Sequence, residues 1–260
     1  MLLKRADQFW RIAMTGLAFA GLGIGGIVLA LTIIPLVTSI QRDPRARETR
    51  AQAIIQTSFR FYIALLQFFR VIALDVVGAE RLAACRGNVI IANHPTLLDV
   101  VLLISLVSKA QCVVKHQLWR NPFLGPIVRV AGYIRNDLEP EAFVEQCRST
   151  LAAGNNLIIF PEGTRSTPGE PLAFQRSFAH IATLTGSDLQ PIVITCDPIM
   201  LVKGQPWYEV PERLPQFRIF AANLVSMGPF LDIAPRAKSA RLLVSHLETF
   251  YRGQLTHAGA

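Results

Sequence analysis

Two short stretches of this 260-residue sequence hold residue types able to move a proton and to grip an anion. In the first, the apolar run Val89-Ile-Ile-Ala92 leads at once into Asn93-His-Pro-Thr-Leu-Leu-Asp99. In the second, Leu157-Ile-Ile-Phe160 leads into Pro161-Glu-Gly-Thr-Arg-Ser166. An imidazole accepts a proton near neutral pH and a nearby carboxylate can orient it, so His94 with Asp99 has the makings of a general base for a hydroxyl, with no serine or cysteine nucleophile required. Pro95 keeps His94 extended, and Asp99 falls in the first turn or two of the next helix. Glu162, Gly163, Thr164 and Arg165 combine a flexible backbone, open amides and a guanidinium that can hold a phosphate or carboxylate through two hydrogen bonds.

Spacing alone leaves plainer readings open. Asn93 or Thr96 can cap a helix whose dipole favours Asp99, with His94 incidental, and the second loop can be an ordinary Pro-Gly turn with a solvated arginine. Position joins the two loops. Each directly follows a short apolar strand, and in open α/β sheets the ligand crevice lies outside the carboxyl ends of the strands, so both point to one pocket.

The elements that must hold these loops follow from the pattern after about residue 75. β-branched runs at 88–92, 111–115, 156–160, 190–196 and 218–224 alternate with helical stretches at 97–108, 140–153, 174–185 and 236–251. Such alternation predicts an α/β domain with a largely parallel sheet flanked by helices. No internal repeat or low-complexity tract interrupts it.

Ahead of that domain, Ile12 to Gln41 is a run of thirty uncharged residues, longer than the roughly twenty needed to cross a bilayer core and longer than the apolar core of a cleaved signal. Its glycines and Pro35 suit a membrane helix packed against a neighbour. Residues 53–74 read as an interfacial amphipathic helix, with Gln56, Arg60, Gln67 and Arg70 at helical spacing. Between them, residues 42–50 read as a basic linker, which the positive-inside tendency assigns to the cytoplasm, although Lys4, Arg5 and Arg11 pull the other way. A single crossing and a hairpin dipping into one leaflet both fit. The expected division is a membrane-anchoring unit over residues 1–74 and a catalytic α/β domain over residues 75–260.

Composition narrows the function class. Apolar residues make up 51% and charged ones 17%, too apolar for disorder and apt for contact with a lipid bilayer. Most of the excess in the net charge of +8 flanks the N-terminal apolar run, with no basic stripe interleaved with aromatics and no helix-turn-helix or zinc-finger pattern, which argues against nucleic acid. Cys85, Cys112, Cys147 and Cys196 are widely spaced and read as small buried residues, with no metal site and no disulfide framework. His116 and His180 have no companion at metal spacing and read as structural.

Together the loops resemble the signatures of the glycerophospholipid acyltransferase family, typified by lysophosphatidic acid acyltransferase: N-H-x-x-x-x-D, here Asn93 to Asp99, and F-P-E-G-T-R-S, here Phe160 to Ser166. Both are matched in full and in order. The resemblance covers about residues 75–200 and implies an acyltransferase of the glycerol-3-phosphate acyltransferase-like fold behind a membrane anchor. It implies His94 as general base, Asp99 as its orienting partner, and Glu162, Gly163, Thr164 and Arg165 as the lining that binds the acceptor's phosphate, with Lys115 matching the lysine of an intermediate block. It further implies an acyl-CoA or acyl-carrier-protein donor, a lysophospholipid-type acceptor, no cofactor and no metal, and a bacterial inner-membrane location with the catalytic domain facing the cytoplasm.

The sequence departs from the family pattern around the acceptor site. Gln117 stands for the usual glutamate after Lys115, Arg135 is followed by Asn136 and Asp137 rather than closing an Asp-Arg pair, and Ser177 replaces a glycine. Residues 131–134 and 195–208 resemble a branch associated with bacterial aryl-polyene synthesis, which would imply a different lipid or polyene-type acceptor. A non-catalytic lipid-binding protein and a hydrolase are the competing classes. No G-x-S-x-G elbow favours the latter.

Overall fold

The structure, a computed structural model, describes residues 2–167 and 169–258, with the side chains of 2–6, 257 and 258 outside the description, so Lys4 and Arg5 carry no further argument. The chain opens with α1 (Leu2–Val28), passes through a π-helical turn (Leu29–Ile33) into α2 (Ile34–Ile40), and turns back as α3 (Pro44–Phe68). The π turn has a local cause: Pro35, at the start of α2, has no N–H to continue the regular ladder.

Residues 42–50, expected as a linker, are instead the turn and first coils of α3. Asp43 is its N-cap, accepting from the Ala46 amide at 2.7 Å, and Pro44 occupies the first helical position. Of the four polar residues read as facing an interface, Gln67 and Arg70 are exposed while the other two reach inward. Gln56 and Arg60 donate to the Ser105 carbonyl at 3.4 and 2.8 Å, while Ile55, Tyr62, Ile63 and Leu66 are buried. Trp10 Nε1 donates to the Phe69 carbonyl at 3.0 Å, so α1 and α3 run antiparallel as a hairpin.

Past α3 come β1 (Ala73–Val77), α4 (Ala79–Ala84), β2 (Val89–Ala92), α5 (Asp99–Leu106), β3 (Ala110–Val114), α6 (His116–Arg120), α7 (Gly125–Val130) and β4 (Ile134–Arg135). The chain continues with α8 (Pro140–Ala152), β5 (Asn156–Ile159), α9 (Ser177–Thr185), β6 (Leu189–Asp197), β7 (Gln216–Ala221), α10 (Gly228–Leu231) and α11 (Arg236–Ala258). One seven-stranded sheet has the order β1-β7-β6-β2-β5-β3-β4, and only β6 with β7 is antiparallel. This is the expected α/β fold. β1 starts two residues before the expected domain boundary.

Alternation along the strands makes the two cores. Ile90, Ala92, Ile158, Ile192 and Ile194 face the layer of α3, α4 and α5, whereas Val89, Ile91, Leu157, Ile159 and Val193 face α8, α9 and α11. Strands buried on both faces read as unbroken apolar runs, which is why 89–92 and 157–159 carry no polar residue. The central strands β2 and β5 are parallel neighbours, with Ile91 level with Ile159, and this register brings the two signature loops side by side.

Candidate active site

β2 ends at Ala92 and the chain leaves the sheet with Asn93, whose buried side chain replaces the missing ladder. Its Nδ2 donates to the Ile194 carbonyl and its Oδ1 accepts from the Ile194 amide, both at 2.8 Å. His94 is thereby aimed out of the carboxyl end of the sheet. Its ring stacks on Phe160 at 4.2 Å between centroids.

Asp99, the first residue of α5, is wholly buried and lies 2.8 Å from His94 Nδ1 through Oδ2. The same oxygen accepts from the Thr96 amide at 2.7 Å, and Oδ1 accepts from the Thr96 hydroxyl at 2.6 Å. The Thr96 hydroxyl in turn accepts from the Leu98 amide at 3.2 Å. One carboxylate therefore both closes the turn at Thr96 and orients the histidine, while the N-cap of α5, Leu98, has no side-chain bond. Burial pushes the Asp99 carboxyl above its usual range, and the hydrogen bonds and charge of His94 and the two bonds from Thr96 oppose that rise. With three donors around it the anionic form is the one this pocket is built for. Nδ1 then carries the ring proton, and Nε2, which meets no described partner, is left to accept one.

The second loop is tied to the first. Glu162 Oε1 accepts from the His94 amide and from the Ser166 hydroxyl, each at 2.9 Å, and the Ser166 amide donates to the His94 carbonyl at 2.7 Å. Glu162 thus braces the loop that carries the histidine. Gly163 sits at φ +70°, and a Cβ there would come within 2.5 Å of Gln175 Nε2, so the turn needs glycine. Its amide donates to the Phe160 carbonyl at 3.0 Å and is not free for an oxyanion; among the described residues the Thr164 and Arg165 amides have no such partner.

Arg165 leans across the site, its Nη1 donating to the Leu201 and Val202 carbonyls at 3.1 and 3.0 Å. Lys115 is exposed just past β3, at the same carboxyl end of the sheet, and no described residue pairs with it. The family departures have structural places too. Asn136 Oδ1 accepts from the His116 amide at 3.1 Å, Arg135 holds Asp137 through two bonds of 2.9 and 2.8 Å, and Gln117 is exposed on α6. The arginine beside it holds the Asp137 carboxyl down at about 2. No three His, Cys, Asp or Glu side chains gather as metal ligands among the described residues.

Thr96, Ser166, Phe160 and the Leu201–Val202 carbonyls complete the site beyond the residues expected from sequence. Thr96 carried a signal, a hydroxyl residue type suited to bonding across a turn ahead of a helix. Leu201 and Val202 carried none.

The family model described as Acyltransferase matches residues 73–195. A 1-acyl-sn-glycerol-3-phosphate acyltransferase of Helicobacter pylori is 32% identical over 168 residues, covering 62% of this chain and 70% of that protein. A protein of the same description from Cocos nucifera is 36% identical over 112 residues, covering 40% of this chain and 36% of its own length, and one from Borreliella burgdorferi is 27% identical over 128 residues, covering 47% and 51%. The chain thus spans about a third to a half of the first curated relatives it matches. The crystal structure of the 1-acyl-sn-glycerophosphate acyltransferase from Thermotoga maritima superposes with a TM-score of 0.71 at 18% identity, over 95% of this chain and 98% of that one, which is a likeness of fold. The family match covers β1 through β6 and therefore both loops of the site, and with the Helicobacter relative it shows that this chain belongs to the acyltransferase family.

Proposed function

We propose that this protein transfers a fatty acyl group from a thioester to the hydroxyl of a lysophosphatidate-type acceptor at a membrane surface. The observation that carries the reading is the His94–Asp99 pair at 2.8 Å, with Nε2 unpartnered beside a loop bearing Arg165. His94 Nε2 takes the acceptor's hydroxyl proton while the oxygen attacks the thioester carbonyl. The carbon–sulfur bond then breaks, and the departing thiolate recovers the proton from the imidazolium. Asp99 holds the ring in the tautomer this requires and stabilises the positive charge formed on it.

Arg165 and Lys115 grip the acceptor's phosphate, with the Gly163–Thr164 turn as lining and Glu162 as the brace behind it. The Thr164 and Arg165 amides face the developing oxyanion. The donor is acyl-CoA or an acyl-carrier protein, since the thioester is common to both. The apolar helices within residues 1–74 anchor the chain, and residues 75–260 hold the chemistry at the cytoplasmic face of a bacterial inner membrane. That assignment draws on the apolar, largely exposed helical segment Asp7–Ile40 and on the bacterial relatives. The exposed Gln117 and the Asn136 and Asp137 contacts support a second reading, in which the acceptor is another lipid hydroxyl.

The test is acyl transfer by purified protein in detergent, with labelled acyl-CoA or acyl-carrier protein and either lysophosphatidate or its phosphate-free monoacylglycerol. Arg165→Ala is expected to raise the lysophosphatidate KM by about ten-fold or more, the size of a charge-assisted hydrogen bond, and to leave the monoacylglycerol KM alone. An unchanged lysophosphatidate KM overturns the phosphate role. Transfer to monoacylglycerol only favours the second reading.

A further inference from the structure

The connection from β6 to β7, residues 198–215, touches both the site and the N-terminal helix, and the contacts form one continuous chain. At its near end Leu201 is buried, with φ +55°, a left-handed conformation disfavoured for a residue with a branched side chain. That conformation aims its carbonyl at both signature loops: it accepts from the Leu97 amide at 3.1 Å and from Arg165 Nη1 at 3.1 Å. Gln205 carries the link onward, its Oε1 accepting from the Val202 amide and its Nε2 donating to the Glu209 carbonyl, each at 3.2 Å. At the far end α1 takes hold. Gln8 donates to the Val210 carbonyl at 3.1 Å, the buried Arg11 donates to the Pro211 and Glu212 carbonyls, and the Trp207 ring lies on Gly16, where an added Cβ would sit 2.9 Å from it.

We propose that residues 198–212 are a strap through which α1 sets the position of Arg165, with Gly16, Trp207 and Gln205 as positioning residues for acceptor binding. The inference rests on the proposed role of Arg165. A guanidinium on a loop has many rotamers, and two carbonyls presented by a strap anchored on a long helix select one. The bilayer that holds α1 then also holds the acceptor's binding group in register with the lipid.

Glycine at position 16 gives a sharp test. In a helix, glycine to a larger apolar residue is ordinarily stabilising. Gly16→Leu is compared with Gly21→Leu on the same helix, where nothing lies within 4 Å of an added Cβ. Hydrogen exchange in nanodiscs, which needs no activity, is expected to quicken at the Leu97 and Ser166 amides in Gly16→Leu and in Trp207→Ala, and to stay at the wild-type rate in Gly21→Leu. In the acyl-transfer assay, Gly16→Leu and Gln205→Ala should raise acceptor KM roughly five- to ten-fold with kcat changed far less, the scale of coupling between linked positions.

Unchanged exchange at Leu97 and Ser166 overturns the strap, and faster exchange with an unchanged acceptor KM overturns its positioning role. If Arg165→Ala itself leaves KM unchanged, it is the role of Arg165 that has failed, and the exchange result still decides whether α1 controls the loop.

Discussion

A carboxylate withdrawn from water keeps its charge only while donors surround it, and at Asp99 those donors are the His94 ring and two groups of Thr96. The count sets up a test of sign. Burial raises the Asp99 carboxyl, while the bonds from His94 and Thr96 lower it, so removing one donor lets it rise further. In Thr96→Val the Asp99 carboxyl takes its proton at higher pH. The acid limb of kcat/KM is therefore expected to move to higher pH, and a limb that stays put or moves lower contradicts this account of the pair.

At this scale much of the site was legible. His94, Asp99 and Arg165 were marked by their chemistry, and Asp99 falls at the start of α5 as expected. Spacing could not show that Thr96 holds the carboxylate that orients His94, because that depends on where the Thr96 hydroxyl points. Nor could it show that Glu162 spends its carboxylate on the His94 amide and Ser166.

Between elements, the join of α3 to the sheet is polar at its centre. Glu48 Oε1 accepts from Gln111, Asn155 and Gln52 at 2.7, 3.0 and 3.2 Å, which ties α3 to β3 and to the start of β5. Burial raises the Glu48 carboxyl above its ordinary 4.5, against the bonds from those three amides and the charge of Arg45. A carboxyl raised by folding binds its proton more tightly in the folded state, so its contribution to stability is fully present below about pH 4.5 and is lost as pH rises through the folded value. Glu48→Gln should flatten that part of the Tm–pH curve. Parallel curves for the two proteins would show that Glu48 does not carry it.

The buried strands and the longer helices were readable from apolar runs and periodicity. β1, with Asp75 in its middle, and the two-residue β4 were not, because edge strands need no continuous apolar pattern. Residues 42–50 misled because charge density masked an Asp-Pro cap.

For the molecule as a whole, the apolar face of α1 is turned away from the body. Leu17 and Ile24, two turns apart along one stripe, are each 63% exposed, and Leu31 in the π turn beyond continues the stripe at 65%, whereas Arg11 and Thr15 on the opposite side of α1 are buried. A surface of that kind calls for lipid. Leu17→Glu with Ile24→Glu should lower the fraction of protein that floats with anionic vesicles by at least about ten-fold, given the cost of placing charge in a bilayer. Equal flotation would remove the bilayer from the description of α1. The thirty-residue uncharged run announced this helix, but only packing could show that it doubles back on α3 and grips the β6–β7 connection.

The most direct measurement of the central claim is the rate of acyl transfer to lysophosphatidate by wild type and by His94→Ala, with Tm confirming that both are folded. A loss of about 10²–10⁴-fold in kcat with the fold intact is the predicted result, the contribution of a general base. A folded His94→Ala protein that transfers acyl groups at the wild-type rate would contradict it.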